Sequence, residues 1–295
     1  MVYLLKNKYN EVRSGWVLLI SGIILFLILM LVGFAVALIT GDGAVRVLNT
    51  PFADYPLMIV ALLLLFRFVY NRPLNQMGFY SNDWFKQLAL GGLFGIVLIS
   101  LMVLIMWVGG LIQFTGIYLN NFAYWKFWNG LLVFIGVGFF EEIFSRGFIM
   151  TVLKTTRNKW VIVLFSSSIF GVLHIANPST TPFALVNITL IGILIAYLFI
   201  KTGRIWASIG IHITWNFIQG NIFGSLVSGV ETMSIMQLEV IGNEWLTGGE
   251  FGFEGGVICT LVVLFALLYV HFCIKHNENF WRMDSNMPLN RSSNI

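Results

Sequence analysis

The sequence predicts an all-α, polytopic membrane protein of about eight transmembrane helices built around an intramembrane polar site. Three observations predict it. The 295 residues are 58% hydrophobic and only 10% charged, whereas soluble domains carry about a quarter charged residues. Eight apolar segments approach the roughly 20 residues that a helix needs to cross a bilayer. The basic residues alternate in side with those segments, as the positive-inside rule requires.

The segments run roughly over 15–40, 52–71, 87–110, 128–151, 160–177, 182–201, 205–223 and 253–275. They are too long and too evenly apolar for barrel strands, and irregular backbone in lipid would leave amides unpaired, so each reads as a helix. The first is far longer than a signal-peptide core and reads as a retained span. Between the second and third, Asn71 to Gln87 mixes Leu74, Met77, Phe79, Trp84 and Phe85 with polar residues. It reads as an interfacial segment in which Ser81, Asn82 or Asp83 can cap the third helix. Pro178 and Pro182 mark an outer turn, and Thr202 with Gly203 an inner one.

With the N-terminus inside, Lys6, Lys8, Arg13, Arg67, Arg72, Lys86, Arg146, Lys154, Arg157, Lys159, Lys201, Arg204, Lys275, Arg282 and Arg291 all fall on the cytoplasmic side. Only Arg46 and Lys126 fall outside. The loop from about 224 to 252 holds Glu231, Glu239, Glu244 and Glu250 with no Lys or Arg, which suits the outer face. Both termini are therefore expected in the cytoplasm, in the cell membrane. The net charge of +4 follows from this topology and calls for no nucleic-acid partner. A single membrane domain, 1–295, is expected, with a chemistry-bearing core at about 75–223 and a polar cytoplasmic tail at 277–295. Cys259 and Cys273 share the last helix about 21 Å apart and cannot be bridged.

Ionisable groups inside spans cost at least about 2.5 kcal/mol each and need a partner or a purpose. In the fourth to seventh spans they are Glu141, Glu142, Arg146, His174 and His212, with the amide of Asn216. Helix rise places Glu141 about 20 Å, His174 about 21 Å and His212 about 12 Å from their inner helix ends. Glu142 and Arg146 are four apart and share a face suited to an ion pair. Glu141 is turned about 100° away. Phe170 with His174, and His212 with Asn216, repeat the four-residue step. Gly136 and Gly138 would let a neighbouring helix come close.

These residues spell Glu141-Glu142…Arg146, Phe170…His174 and His212…Asn216 on successive apolar segments. In this the sequence resembles the CPBP intramembrane proteases, which include type II CAAX prenyl endopeptidases and bacteriocin-processing relatives, with signatures EExxxR, FxxxH and HxxxN/D. No signature position departs from the pattern. The resemblance covers about residues 75–223 and extends to an eight-span plan.

Peptide hydrolysis needs a nucleophile, a base and donors for the oxyanion. No GxSxG serine motif is present and neither cysteine lies near the site, so water is the expected attacker. The resemblance implies that Glu141 with His174 activates this water and that His212 and Asn216 bind the oxyanion. Glu142 and Arg146 would hold the fourth helix in place, with Phe170 beside them. No cofactor is expected; zinc on Glu141, His174 and His212 is the open alternative, against which stand the lack of HExxH spacing and the three separate helices. His271 and His276 read as bystanders. The expected partners are the bilayer and membrane-associated peptides or protein tails, either prenylated C-termini or hydrophobic leader and bacteriocin-type peptides. The site is expected to open toward the cytoplasm or laterally to lipid. A proton-coupled transporter and a non-proteolytic immunity or scaffold protein are the rivals from other classes.

Overall fold

The computed structural model describes residues 5–6, 12–40, 51–80, 82–276 and 279–282. Lys8, Arg46, Ser81 and Arg291 lie outside these residues, as does most of the 277–295 tail, and with them the sides and the capping role assigned to them above.

The described residues are 75% helical, and a helix lies over each apolar segment. These are α1 (Ser14–Thr40), α2 (Pro51–Leu64), α3 (Trp84–Val108), α4 (Trp125–Glu142), α5 (Lys159–Leu173), α6 (Pro182–Thr202), α7 (Ile205–Phe217) and α8 (Val257–Cys273). α4 runs on through a π-helical segment, Ile143–Ile149, to give one long rod, Trp125–Thr156. Among the described residues, three helices are long and apolar enough to cross a membrane: Trp84–Val108, Trp125–Thr156 and Pro182–Thr202. Shorter apolar helices lie at Ser14–Ile28, Tyr55–Val69, Lys159–Leu173 and Val257–Cys273.

Local chemistry sets several of the ends. Asn158 accepts from the amides of Trp160 and Val161 at the start of α5. Thr181 accepts from the Ala184 amide at the start of α6, where Pro182 follows it, and Gly203 closes that helix at φ +65°. Asp83 takes the N-cap position of α3 but makes no capping hydrogen bond; its carboxylate lies 3.5 Å from Arg204 instead. The Asn71–Gln87 segment is not wholly interfacial. Met77 is fully buried, and the Gln76 carbonyl accepts from Thr151 Oγ1 at 3.1 Å.

Apolar burial gives little net drive between helices in lipid, so close backbone approach matters more. α3 and α7 meet through glycines. A Cβ at Gly91 would lie 2.1 Å from the Ala207 carbonyl oxygen, and one at Gly210 would lie 2.2 Å from that of Leu88. Gly138 does the same for α4 against α7: a Cβ there would lie 2.6 Å from Ile213 Cγ1. The expectation for Gly136 also holds, its partner being the Tyr55 side chain on α2.

The sequence reading missed one small sheet. β1 (Ile112–Ile117) pairs antiparallel with β2 (Met236–Val240), from Ile112 opposite Val240 to Ile117 opposite Met236, with an irregularity between Phe114 and Gly116. The Gln113 side chain donates to Glu239 at 3.0 Å across it. This ribbon and the loops beside it cover the end of the helix bundle opposite the Lys154–Lys159 and Lys201–Arg204 turns. Two apolar clusters fill the bundle. One gathers α3, α6, α7 and α8 around Met102, Leu194 and Val263; the other gathers α2, α4 and α5 around Phe66, Met150 and Ile162.

Candidate active site

The fourth helix sets the site. Its last α-helical residues are Glu141 and Glu142, and the π-helical segment that follows carries Arg146. Such segments widen the helix and recur at functional positions. Arg146 is fully buried and held from three sides, with Nε left without a hydrogen-bond partner among the described residues. Nη1 donates to Glu142 Oε1 at 3.1 Å, Nη2 donates to the Gly192 carbonyl at 3.0 Å, and the guanidinium lies 4.6 Å from the Phe170 ring centroid. The expected ion pair is present.

Glu142 does more than hold Arg146. Its Oε1 also lies 2.8 Å from Nδ1 of His212 on α7. A carboxylate that already receives an arginine can only accept, so His212 Nδ1 carries the proton and donates. His174 is fixed in the same sense: its Nδ1 lies 2.8 Å from the Phe170 carbonyl, which accepts. Both imidazoles therefore turn Nε2 toward Glu141. From Glu141 Oε2 the distances are 3.9 Å to His174 Nε2 and 3.8 Å to His212 Nε2. These are too long for direct hydrogen bonds and within reach of one bridging water. Glu141 Oε2 is itself buried with no hydrogen-bond partner among the described residues.

His174 sits at the C-cap of α5, just past the last helical residue, whereas the 160–177 segment puts it inside the helix's last turn. The Phe170 ring packs on it at 4.9 Å and reaches His212 at 5.9 Å, so this one aromatic ring touches the arginine and both histidines. Asn216, one turn after His212, is buried, lines the same cavity, and makes no hydrogen bond among the described residues. His271 lies elsewhere, bonded to the Tyr197 hydroxyl at 2.9 Å.

The four residues surround a cavity of about 240 Å³ whose other walls are mostly apolar. Asn177, Val227, Ser228 and Glu254 complete it, all from loops on the acidic side of the bundle. Its most exposed lining residues are Leu173, at 51%, and Val230, at 48%. The exposed part of the lining therefore lies at the acidic-loop end, away from the basic turns on whose side one of the two expected openings would lie.

Glu254 is the residue that sequence reasoning missed. It is 2% exposed, and its Oε2 accepts from the Ser228 amide at 3.0 Å and from Gln219 Nε2 at 2.9 Å. Asn187 of α6 donates to the Glu254 and Gly256 carbonyls, and Asn177 donates to the Ser228 carbonyl. The three loops are stitched into a roof over the cavity. The available signal was a lone carboxylate between glycines where the last apolar segment begins.

Among the described residues no three His, Cys, Asp or Glu side chains stand at metal-holding spacing.

Residues 122–218, which contain all three signatures, match the family model described as type II CAAX prenyl endopeptidase Rce1-like. The match agrees with the resemblance to the CPBP proteases and, at the level of that family, supports an intramembrane endopeptidase. One curated relative, an uncharacterized protein YyaK of Bacillus subtilis (strain 168), is 37% identical over 76 residues. That stretch covers 24% of this chain and 25% of the relative, so the chain spans about a quarter of the length of the relative it matches. No solved structure matches the chain.

Proposed function

We propose that the protein is a multi-pass intramembrane endopeptidase that hydrolyses peptide bonds of membrane-associated peptides or protein tails with a water activated by Glu141 and His174. The observation that carries the proposal is the buried, unpartnered Glu141 Oε2 facing two imidazole Nε2 atoms at 3.8 and 3.9 Å beside a cavity.

In this reading a water lodged between Glu141 Oε2 and His174 Nε2 gives a proton to the carboxylate as its oxygen bonds to the scissile carbonyl carbon. The carbonyl oxygen becomes an oxyanion. Asn216 donates an amide N–H to it, and His212 donates Nε2–H in its doubly protonated form, with Nδ1–H kept on Glu142. The carbon–nitrogen bond then breaks as the carboxylic acid of Glu141 returns its proton to the leaving amine. Glu142, Arg146 and Phe170 act through the rings they orient. The eight-span topology, the cytoplasmic termini and a location in the cell membrane belong to the same proposal, supported by the charge alternation and by the helix over each apolar segment.

The test is cleavage by the purified protein in detergent of two fluorogenic peptide sets, prenylated C-terminal tails and hydrophobic leader-type peptides. Product from the wild type, absent with Glu141→Ala and His174→Ala, is the expected result. Cleavage that persists in Glu141→Ala removes the assignment, and flux of protons in liposomes without any product would favour a transporter.

A further inference from the structure

A second, larger concavity lies apart from these side chains, between α3, α8 and the turn that joins α6 to α7. It encloses about 890 Å³. Its floor is made of small residues, Gly91, Ala207 and Ala266, and its walls of large exposed apolar ones, including Leu93, Val97 and Phe265. The lining along α3 runs from Gln87 to Leu101. At about 1.5 Å per residue this is roughly 21 Å, more than the roughly 15 Å of one leaflet's hydrocarbon.

Charge is confined to one end. Lys201, Arg204 and Lys275 stand there against the single carboxylate of Asp83, which leaves an excess of two positive charges. Arg204 is taken up by Asp83 and the Asn82 carbonyl. Lys201 donates two of its three N–H groups to the carbonyls of His271 and Ile274, at 2.9 and 3.1 Å, and keeps one. Lys275 is exposed and makes no hydrogen bond or ion pair among the described residues. The walls are helices whose backbone groups are already bonded within them, so the groove presents no edge on which a peptide backbone could pair.

We propose that this groove binds an anionic phospholipid. Its phosphate sits between Lys275 and the free N–H of Lys201, and one acyl chain runs along α3 past Leu93 and Val97. The long apolar trough suits the chain, and the excess of positive charge selects an anionic headgroup over a zwitterionic one.

The test uses the full chain, purified in detergent and given equal amounts of phosphatidylglycerol and phosphatidylcholine with the same acyl chains. Native mass spectrometry reads the lipid retained. Phosphatidylglycerol should be retained in preference. Lys275→Gln should weaken its retention about fivefold, the effect of one basic residue beside an anionic lipid. Val97→Trp, which fills the trough, should abolish it, with Leu93→Trp on the same helix face used if the first variant fails to fold. Equal retention of the two lipids, or a preference for phosphatidylglycerol that survives both Lys275→Gln and the tryptophan variant, overturns the proposal. So does a protein that keeps no lipid and runs as a dimer, which would mean that a second copy fills the groove.

Discussion

One oxygen of Glu142, Oε1, receives both the Nδ1 proton of His212, at 2.8 Å, and Nη1 of Arg146, at 3.1 Å. The second acid of the glutamate pair is therefore the link between the fourth and seventh helices, and it fixes which face of the His212 ring looks at Glu141.

Removing that link leaves a buried guanidinium without its counter-charge, and breaking a buried pair in this way costs about 3–5 kcal/mol. Glu142→Ala is expected to lower the thermal unfolding midpoint in detergent sharply, and Glu142→Gln by less. If Glu142→Ala unfolds like the wild type, Arg146 is held by its other two contacts alone.

Glu141 is placed differently. Its Oε2 has no hydrogen bond to lose, so Glu141→Gln, which keeps the shape of the side chain, should leave the unfolding midpoint close to that of the wild type. Hydrolysis should fall by about 10²–10⁴, the range for a general base. A midpoint that collapses along with activity would show a structural carboxylate.

Asn216→Ala should act on turnover more than on binding, because an oxyanion donor engages only as the charge develops. Loss of one such donor is worth about 2.7–4 kcal/mol, or 10²–10³ in kcat. A rise in KM with unchanged kcat would instead make Asn216 a substrate-binding residue.

The roof can be loosened without touching the reacting groups. Glu254→Ala strands the Ser228 amide and one of the two N–H groups of Gln219 Nε2, the other staying on the Leu226 carbonyl at 2.7 Å. Each buried donor left unsatisfied costs about 1–3 kcal/mol. The expected readout is faster proteolytic nicking between 224 and 256 with the helices intact; equal resistance would show that the loops hold each other without it.

Gly91→Val should disrupt the α3–α7 contact, since its Cβ would fall 2.1 Å from the Ala207 carbonyl oxygen. Overpacking of this kind costs typically 1–3 kcal/mol or more, measured as a lower unfolding midpoint. Gly22→Val, where nothing lies within 4 Å, is the control.

Where the helices lie was readable because uninterrupted apolar composition is a strong, local signal, and so were the four-residue pairs Glu142–Arg146 and His212–Asn216, which depend only on helical period. What lay hidden was set by contacts between distant segments. The partner of Glu142 on α7 follows from how two helices pack, with Gly138 against Ile213, and not from either stretch alone. β1 and β2 are short and separated by more than a hundred residues, so neither announces its pairing. The end of α5 at Leu173 was also obscured, because Ile175 and Ala176 keep the stretch apolar on the far side of His174 after the helix has stopped. Glu254 was masked in another way: it stands at the first turn before an apolar run and was counted as part of it.

The stitched loops have a consequence for traffic. With Asn177, Ser228 and Glu254 bonded into one seam over the cavity, and Leu173 and Val230 the most exposed of its lining, the way past the roof runs over apolar side chains. Under the proposed function, an entering segment meets those greasy side chains before it reaches Glu141, so apolarity is sampled ahead of reactivity.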